Sequence, residues 1–396
     1  MKPTDDIKPG PAAETGVAGS GGSAAQGGAP MVSKKTFARW KIILPVVIGL
    51  GVIIAMFIHD AKKENLLEIW QSIQITPRTV VFIIVAFFFM FGRDFGLTWR
   101  FRTLTDRQLR WTAAWKTDML CEFTSCVTPS AVGGSSLGMV FLWSQGVNFG
   151  RATTLMMTTL FLDELFFVVF CPIIALLTPS DVLFASGGTT FSHGIKFTFW
   201  TVYGVLFLWT LVLFLGIIVK PLWIRGMLVR ICSIKFLRRW KPGAETLGNN
   251  MIATSRELRS KPFRFWLEVF TGTALSWMSR YLVVNALFLA FIPTDDPYQW
   301  VIFARQLVIW VVLMVSPTPG GSGLSEWLFS EYYGDLVSTA GMALILAIFW
   351  RLISYYLYLA IGAVIVPGWL RKTLGKYNSL KPDAGSAATS EQTRTK

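Results

Sequence analysis

Apolar runs alternate with short basic segments along most of this chain. The first run, Ile42–Ile58, has 17 residues and sits at the short limit for crossing a bilayer. Thr79–Leu97, Ala152–Leu177, Phe197–Val219, Phe265–Ile292 and Leu336–Pro367 read as five further spans. Two stretches interrupt the pattern. Thr112–Trp143 carries Asp118, Glu122, Pro129 and the pair Gly133-Gly134, and Trp300–Tyr333 carries Ser316-Pro317-Thr318-Pro319-Gly320-Gly321-Ser322-Gly323-Leu324-Ser325-Glu326. Prolines block helical hydrogen bonding and glycines open positive φ, so both stretches predict a broken helix. Hydrocarbon tolerates broken backbone only where protein or a wet cavity surrounds it, which predicts a pocket lined by the breaks.

Charge orients these elements. Lys34, Lys35, Arg39 and Lys41 precede the first span and place the N-terminus inside. The second span ends at Arg100, Arg102, Arg107 and Arg110, and Lys220–Arg264 holds eleven Lys or Arg, the strongest inside signal of the chain. Asp295 and Asp296 mark an outside loop, and Arg371, Lys372 and Lys376 end the last span inside. By parity, residues 112–151 start and finish inside and residues 300–335 start and finish outside. The expectation is six full crossings, or eight spans if each re-entrant hairpin counts as one, with both termini cytoplasmic. A Gly/Ala/Ser/Pro-rich tail over 1–33, too polar to bury a core, precedes a membrane domain over 34–372, and a polar tail over 373–396 follows it.

The two halves resemble each other. Thr128-Pro129 and Thr318-Pro319 lie 190 residues apart, Arg93 and Arg280 187, and Asp163 and Arg351 188. The repeating unit is span, broken hairpin, span, at about 79–178 and about 265–367 with the basic loop 220–264 between. Its first span runs inward in one copy and outward in the other, as an inverted-topology repeat requires, and matched breaks in two halves point to a transporter's binding site.

Composition narrows the function. The chain has 396 residues, 53% hydrophobic and 15% charged, and its mean hydropathy is +0.51, too apolar for a soluble domain of this size. The net charge of +14 falls mostly between spans, as topology signals do, and does not point to nucleic acid; the basic segment 220–264 also suits anionic lipid headgroups, with topology alone as the other reading. Cys121, Cys126, Cys171 and Cys232 form no CxxC pair, and His59 and His193 are the sole histidines, so a metal site, a His-based triad and a cofactor are not expected. No nucleophile with its base is visible, so an enzyme is not expected either.

Charges inside spans cost several kcal/mol unless paired or hydrated. Arg93, Arg280 and Arg351 lie in apolar surroundings, Asp163 and Glu164 interrupt Leu155–Phe170, and Glu326 follows the glycine-rich break. Two readings stand side by side. Arginines and half-helix N–H groups hold a lipid phosphate, or Arg351 or Arg280 pairs with Asp163 or Glu164 as a structural bridge. Glu326 suits the first turn of a restarting helix. Asp118 and Glu122, four residues apart, face either a vestibule or solvent.

Thr318-Pro319-Gly320-Gly321-Ser322-Gly323-Leu324-Ser325-Glu326, with Pro129-Ser130, Gly133-Gly134 and the acidic pair Asp163-Glu164, resembles the lysylphosphatidylglycerol synthase transmembrane region, also called the flippase-like domain family. The resemblance covers roughly residues 40–372. It implies two re-entrant segments in an inverted arrangement and movement of a polar lipid between leaflets. Synthesis of aminoacyl lipid is not implied, because the chain ends at Lys396 without the aminoacyltransferase domain of the best-known members. Where many members show an Arg-Ala-Gly-like run after the first proline, this chain has Ser130-Ala131-Val132-Gly133-Gly134.

The sequence therefore predicts a multi-pass inner-membrane protein that binds or moves a polar phospholipid or lipid-linked precursor. Arg93, Pro129, Gly133, Gly134, Asp163, Glu164, Arg280, Pro319, Gly320, Gly321, Gly323, Glu326 and Arg351 are its substrate-binding candidates. The alternative is a non-transporting membrane subunit that docks a glycosyltransferase or lipid-modifying enzyme through the basic loop. Whether it forms a homo-oligomer stays open.

Overall fold

The structure, a computed structural model, describes residues 75–127, 133–185, 190–233, 241–292, 297–316, 318, 320–321, 323–337 and 340–379. The predicted first span and tail 1–33 lie outside the described residues, as do Pro129, Pro319 and the tail beyond 379. Described structure is helical: α1 Pro77–Leu104, α2 Trp111–Val127, α3 Gly133–Ser144, α4 Phe149–Leu177, α5 Thr190–Phe214, α6 Pro221–Cys232, α7 Lys241–Arg259, α8 Phe263–Phe291, α9 Pro297–Leu313, α10 Leu324–Tyr333, α11 Ala340–Arg351 and α12 Leu357–Ser379. Two π-helical turns occur among them, Leu215–Val219 after α5 and Leu352–Tyr356 between α11 and α12. Five of the described helices are long and apolar enough to cross a membrane: Pro77–Leu104, Phe149–Leu177, Thr190–Val219, Phe263–Phe291 and Gly341–Thr373. This is a polytopic helical membrane protein.

Helices α1 and α8 form the centre of the bundle. Thr76 caps α1 through a reciprocal exchange with Thr79, and Pro77 follows at its first position, so the helix starts sharply. The two helices run antiparallel. At one end the Thr79 hydroxyl donates to the Ala290 carbonyl at 3.0 Å, and near the other the Trp99 indole and Thr103 hydroxyl both donate to Glu268 at 3.0 Å. Between these ties, a Cβ on Gly272 would lie 2.9 Å from the Gly96 carbonyl oxygen, and a Cβ on Gly96 2.6 Å from that of Gly272. Backbones this close need small residues, the usual basis of helix association in lipid.

The second interrupted stretch is helix, break, helix; in the first, residues 128–132 lie outside the described residues. Helix α2 ends at Val127 and α3 begins at Gly133, while α9 and α10 flank the second break, which contains Gly320, Gly321 and Gly323 at φ of +57, +72 and +86. The predicted positive φ is met at each.

Two features add to the expected pattern. The basic stretch 220–264 is largely helical, because α7 buries Met251, Ile252 and Leu258 while its charges face outward. The last helix runs past Pro367 to Ser379, and Trp369, beyond the proline, is buried edge-on against Phe141 at 4.9 Å and donates to the Ser144 hydroxyl at 2.9 Å. That anchoring offsets the hydrogen bond proline removes.

Candidate functional site

The second break is held by one carboxylate. Glu326 sits in the first turn of α10, where a negative charge is favoured. Its Oε2 accepts from the Gly323 N–H at 2.7 Å and from the Ser325 hydroxyl at 2.8 Å. Its Oε1 lies 2.8 Å from Nε of Arg351, an ion pair in which both side chains are buried. Arg351 also donates to the Gly320 carbonyl at 3.1 Å, and its guanidinium lies 3.9 Å from the centre of the Tyr355 ring. Gly320 rests against that ring so closely that a Cβ there would collide with it.

Tyr355 carries the connection to the first half of the chain. Its hydroxyl donates to the Cys126 carbonyl at 3.1 Å, in the last turn of α2 before the first break. The π-helical turn, a distortion often found at functional sites, sets this ring facing both broken segments. One turn away, the Tyr358 hydroxyl donates to Asp94 at 2.6 Å. Arg93, next in line, bonds Asp94 at 2.9 Å, forms an ion pair with Glu122 of α2, and lies 5.0 Å from the Tyr358 ring.

Arg280 differs from Arg93 and Arg351. Its guanidinium lies 4.1 Å from the Trp310 ring centre and 5.9 Å from that of Trp277. No carboxylate pairs with it among the described residues, since Glu122 is engaged by Arg93 and Glu326 by Arg351.

The bridge expected between Asp163 or Glu164 and Arg351 or Arg280 is absent among the described residues. Asp163 pairs instead with Arg100 at 2.5 Å and accepts from the Trp277 indole at 2.9 Å, while Arg100 also donates to Thr273 at 3.2 Å. Arg100 of α1 thus reaches both α4, at Asp163, and α8, at Thr273, beside the close approach of Gly96 and Gly272. One carboxylate oxygen of Glu164 is buried without a hydrogen-bond partner among the described residues. Asp118 and Glu122 do not form a solvated face: Asp118 is 1% exposed and Glu122 holds Arg93. Gly133 and Gly134 begin α3.

Sequence reasoning missed Arg100, Asp94, Tyr355 and Tyr358. Arg100 reads as a topology charge and the tyrosines as ordinary apolar-span aromatics. Asp94, an acid inside an apolar run, carried the same signal as Arg93 beside it. Arg305 was missed in the same way. It is 1% exposed in α9, donates to the Val182 carbonyl at 3.0 Å and the Tyr332 carbonyl at 2.9 Å, and pairs with Asp335 at 2.5 Å.

Long apolar helices around broken segments with buried arginines define a polytopic membrane protein with a polar centre. The sequence pattern of the family described as "Lysylphosphatidylglycerol synthase TM region" matches residues 42–362. The chain belongs to that family. It is similar to a "UPF0104 membrane protein" of Archaeoglobus fulgidus, 23% identical over 258 residues that make up 63% of this chain and 73% of the relative. No solved structure matches it significantly.

Proposed function

We propose that the protein binds a polar phospholipid or lipid-linked precursor through its phosphate and moves it between the leaflets of the cell inner membrane. The observation that carries this reading is Arg280. An arginine inside an apolar bundle, held among the described residues by ring faces alone, is a costly charge that an anionic ligand would compensate. Arg93, whose positive charge acts on Arg280, and Arg351 are both paired and serve as positioning groups. Glu326 is 2% exposed, Arg351 5% and Tyr355 3%, so the ligand reaches them only when the two breaks part. Parting and closing of the breaks about the lipid headgroup is the proposed cycle.

An inverted repeat underlies this reading. Helices α1 and α8 have 28 and 29 residues, α2 and α9 both have 17, and α3 and α10 have 12 and 10. The matched lengths and the antiparallel α1–α8 pair support two copies of one unit in opposite orientation, each with a re-entrant hairpin. Six crossings and cytoplasmic termini follow from the charge pattern.

The test is flux of a fluorescent anionic phospholipid in vesicles containing the purified protein. Arg280→Ala breaks no described ion pair and is expected to lower flux at least tenfold while insertion and melting stay near wild type. Unchanged flux in that variant overturns the role given to Arg280.

A further inference from the structure

A second basic site lies away from the breaks, where α5 ends. The π-helical turn Leu215–Val219 stops at Lys220, and Pro221 opens α6 in a new direction. Between this corner and the last turns of α7 lies a groove of about 340 Å³, lined by Ile218, Val219, Leu222, Trp223 and Ile252 with Ser255, and by the cations Lys220, Arg256 and Arg259.

Positive charge dominates this groove. Arg256 and Arg259 lie three residues apart on one face of α7, so they repel each other. Among the described residues, no carboxylate lines the groove. Glu257, one position along and about 100° around the helix, turns away to Arg151 at 2.9 Å and Lys261 at 3.8 Å. The apolar side of the groove continues onto lipid-facing surface, since Leu211, Val212, Phe214, Leu215 and Val219 are exposed at the end of a membrane-spanning helix and Leu222 and Trp223 are exposed at the start of α6. Three cations above an apolar floor that opens onto acyl chains match one occupant, a phospholipid with a net negative headgroup.

We infer that this groove is a binding site for a resident anionic phospholipid, whose phosphate is held by Lys220, Arg256 and Arg259 and whose chains run along α5. The site is distinct from the broken-helix centre and does not depend on lipid movement there. Trp223 anchors the glycerol level of the lipid, the depth at which indoles prefer to sit.

The test uses the full chain in vesicles of phosphatidylcholine and phosphatidylglycerol, with native mass spectrometry of the lipids retained after gentle extraction. Wild type is expected to retain phosphatidylglycerol in preference. Combined Lys220→Gln, Arg256→Gln and Arg259→Gln lowers that preference about 100-fold, roughly fivefold per cation. Arg256→Gln alone lowers it about fivefold, which keeps the test open if the triple variant folds poorly. Arg110→Gln, an exposed cation elsewhere, leaves it unchanged. Inorganic phosphate at millimolar concentration does not displace the lipid. Equal lipid ratios in wild type and the triple variant overturn the site, as does displacement by inorganic phosphate. Loss of a bound soluble protein on the same substitutions, without lipid enrichment in wild type, also overturns it and favours docking of an enzyme.

Discussion

The Tyr355 hydroxyl donates to the Cys126 carbonyl at 3.1 Å, so one side chain ties the last turn before the first break to the ring on which the second break rests. The two interruptions, about 190 residues apart in sequence, thereby form one unit. Tyr355→Phe keeps the ring and removes the tie. It is expected to cost about 1 kcal/mol of stability, the usual net value of one buried hydrogen bond. Lipid flux should change more than melting does; parallel flux and melting measurements that move together would show the bond to be merely structural.

Gly320 cannot take a side chain where it stands. Its φ of +57 disfavours any Cβ, and the Tyr355 ring occupies the space. Gly320→Ala is expected to destabilise by about 1–3 kcal/mol. Gly334, with φ of −58 and open space where a Cβ would stand, provides the comparison, and Gly334→Ala should stay within about 0.5 kcal/mol of wild type. Thermal melting of the two variants in one detergent checks the contrast.

The Arg351–Glu326 pair makes a double-mutant cycle informative. Removing one member of a buried pair costs about 3–5 kcal/mol because its partner stays charged and buried. Arg351→Ala is therefore expected to be severe. Glu326→Gln keeps an acceptor for the Gly323 N–H and should be milder. The double variant should be less destabilised than the two single losses added together; simple additivity in denaturation would argue against direct coupling.

A pH dependence is expected outside the spans. Partial burial pushes the Asp106 carboxyl up, but the hydrogen bond and charge of Lys261, 2.5 Å away, and the charge of Arg151 hold it below the usual carboxylate range. A folded value below the unfolded one gives stability that is present above the unfolded value and lost as pH falls through the folded one. Melting temperature should thus fall below about pH 4, near the unfolded carboxylate value, and Asp106→Asn should flatten that fall. An unchanged slope in the variant would assign the dependence to other acids.

Much of the bundle was legible because long apolar runs have few alternatives in a membrane. The span boundaries near Thr79, Leu177 and Ile292 differ from those of α1, α4 and α8 by three residues or fewer at those ends. The second break was legible from its glycines. What sequence could not supply was pairing. Arg93, Arg280 and Arg351 look alike as cations in apolar runs, yet one meets Glu122, one meets two indoles, and one meets Glu326. That assignment depends on helices brought together from distant positions. Helices α6 and α7 were hidden for another reason: a dense run of Lys and Arg outweighs the few apolar positions that face inward.

The contact between α1 and α8 is fixed at three levels along the pair. Hydrogen bonds fasten these helices at Thr79 and Ala290 near one end of the pair and at Trp99, Thr103 and Glu268 near the other, and Gly96 meets Gly272 between them. A strut clamped at both ends and touching in the middle can neither slide nor splay without breaking several bonds at once. In the proposed cycle this pair is therefore the axle, and the shorter segments α2–α3 and α9–α10 are the blades that would swing against it.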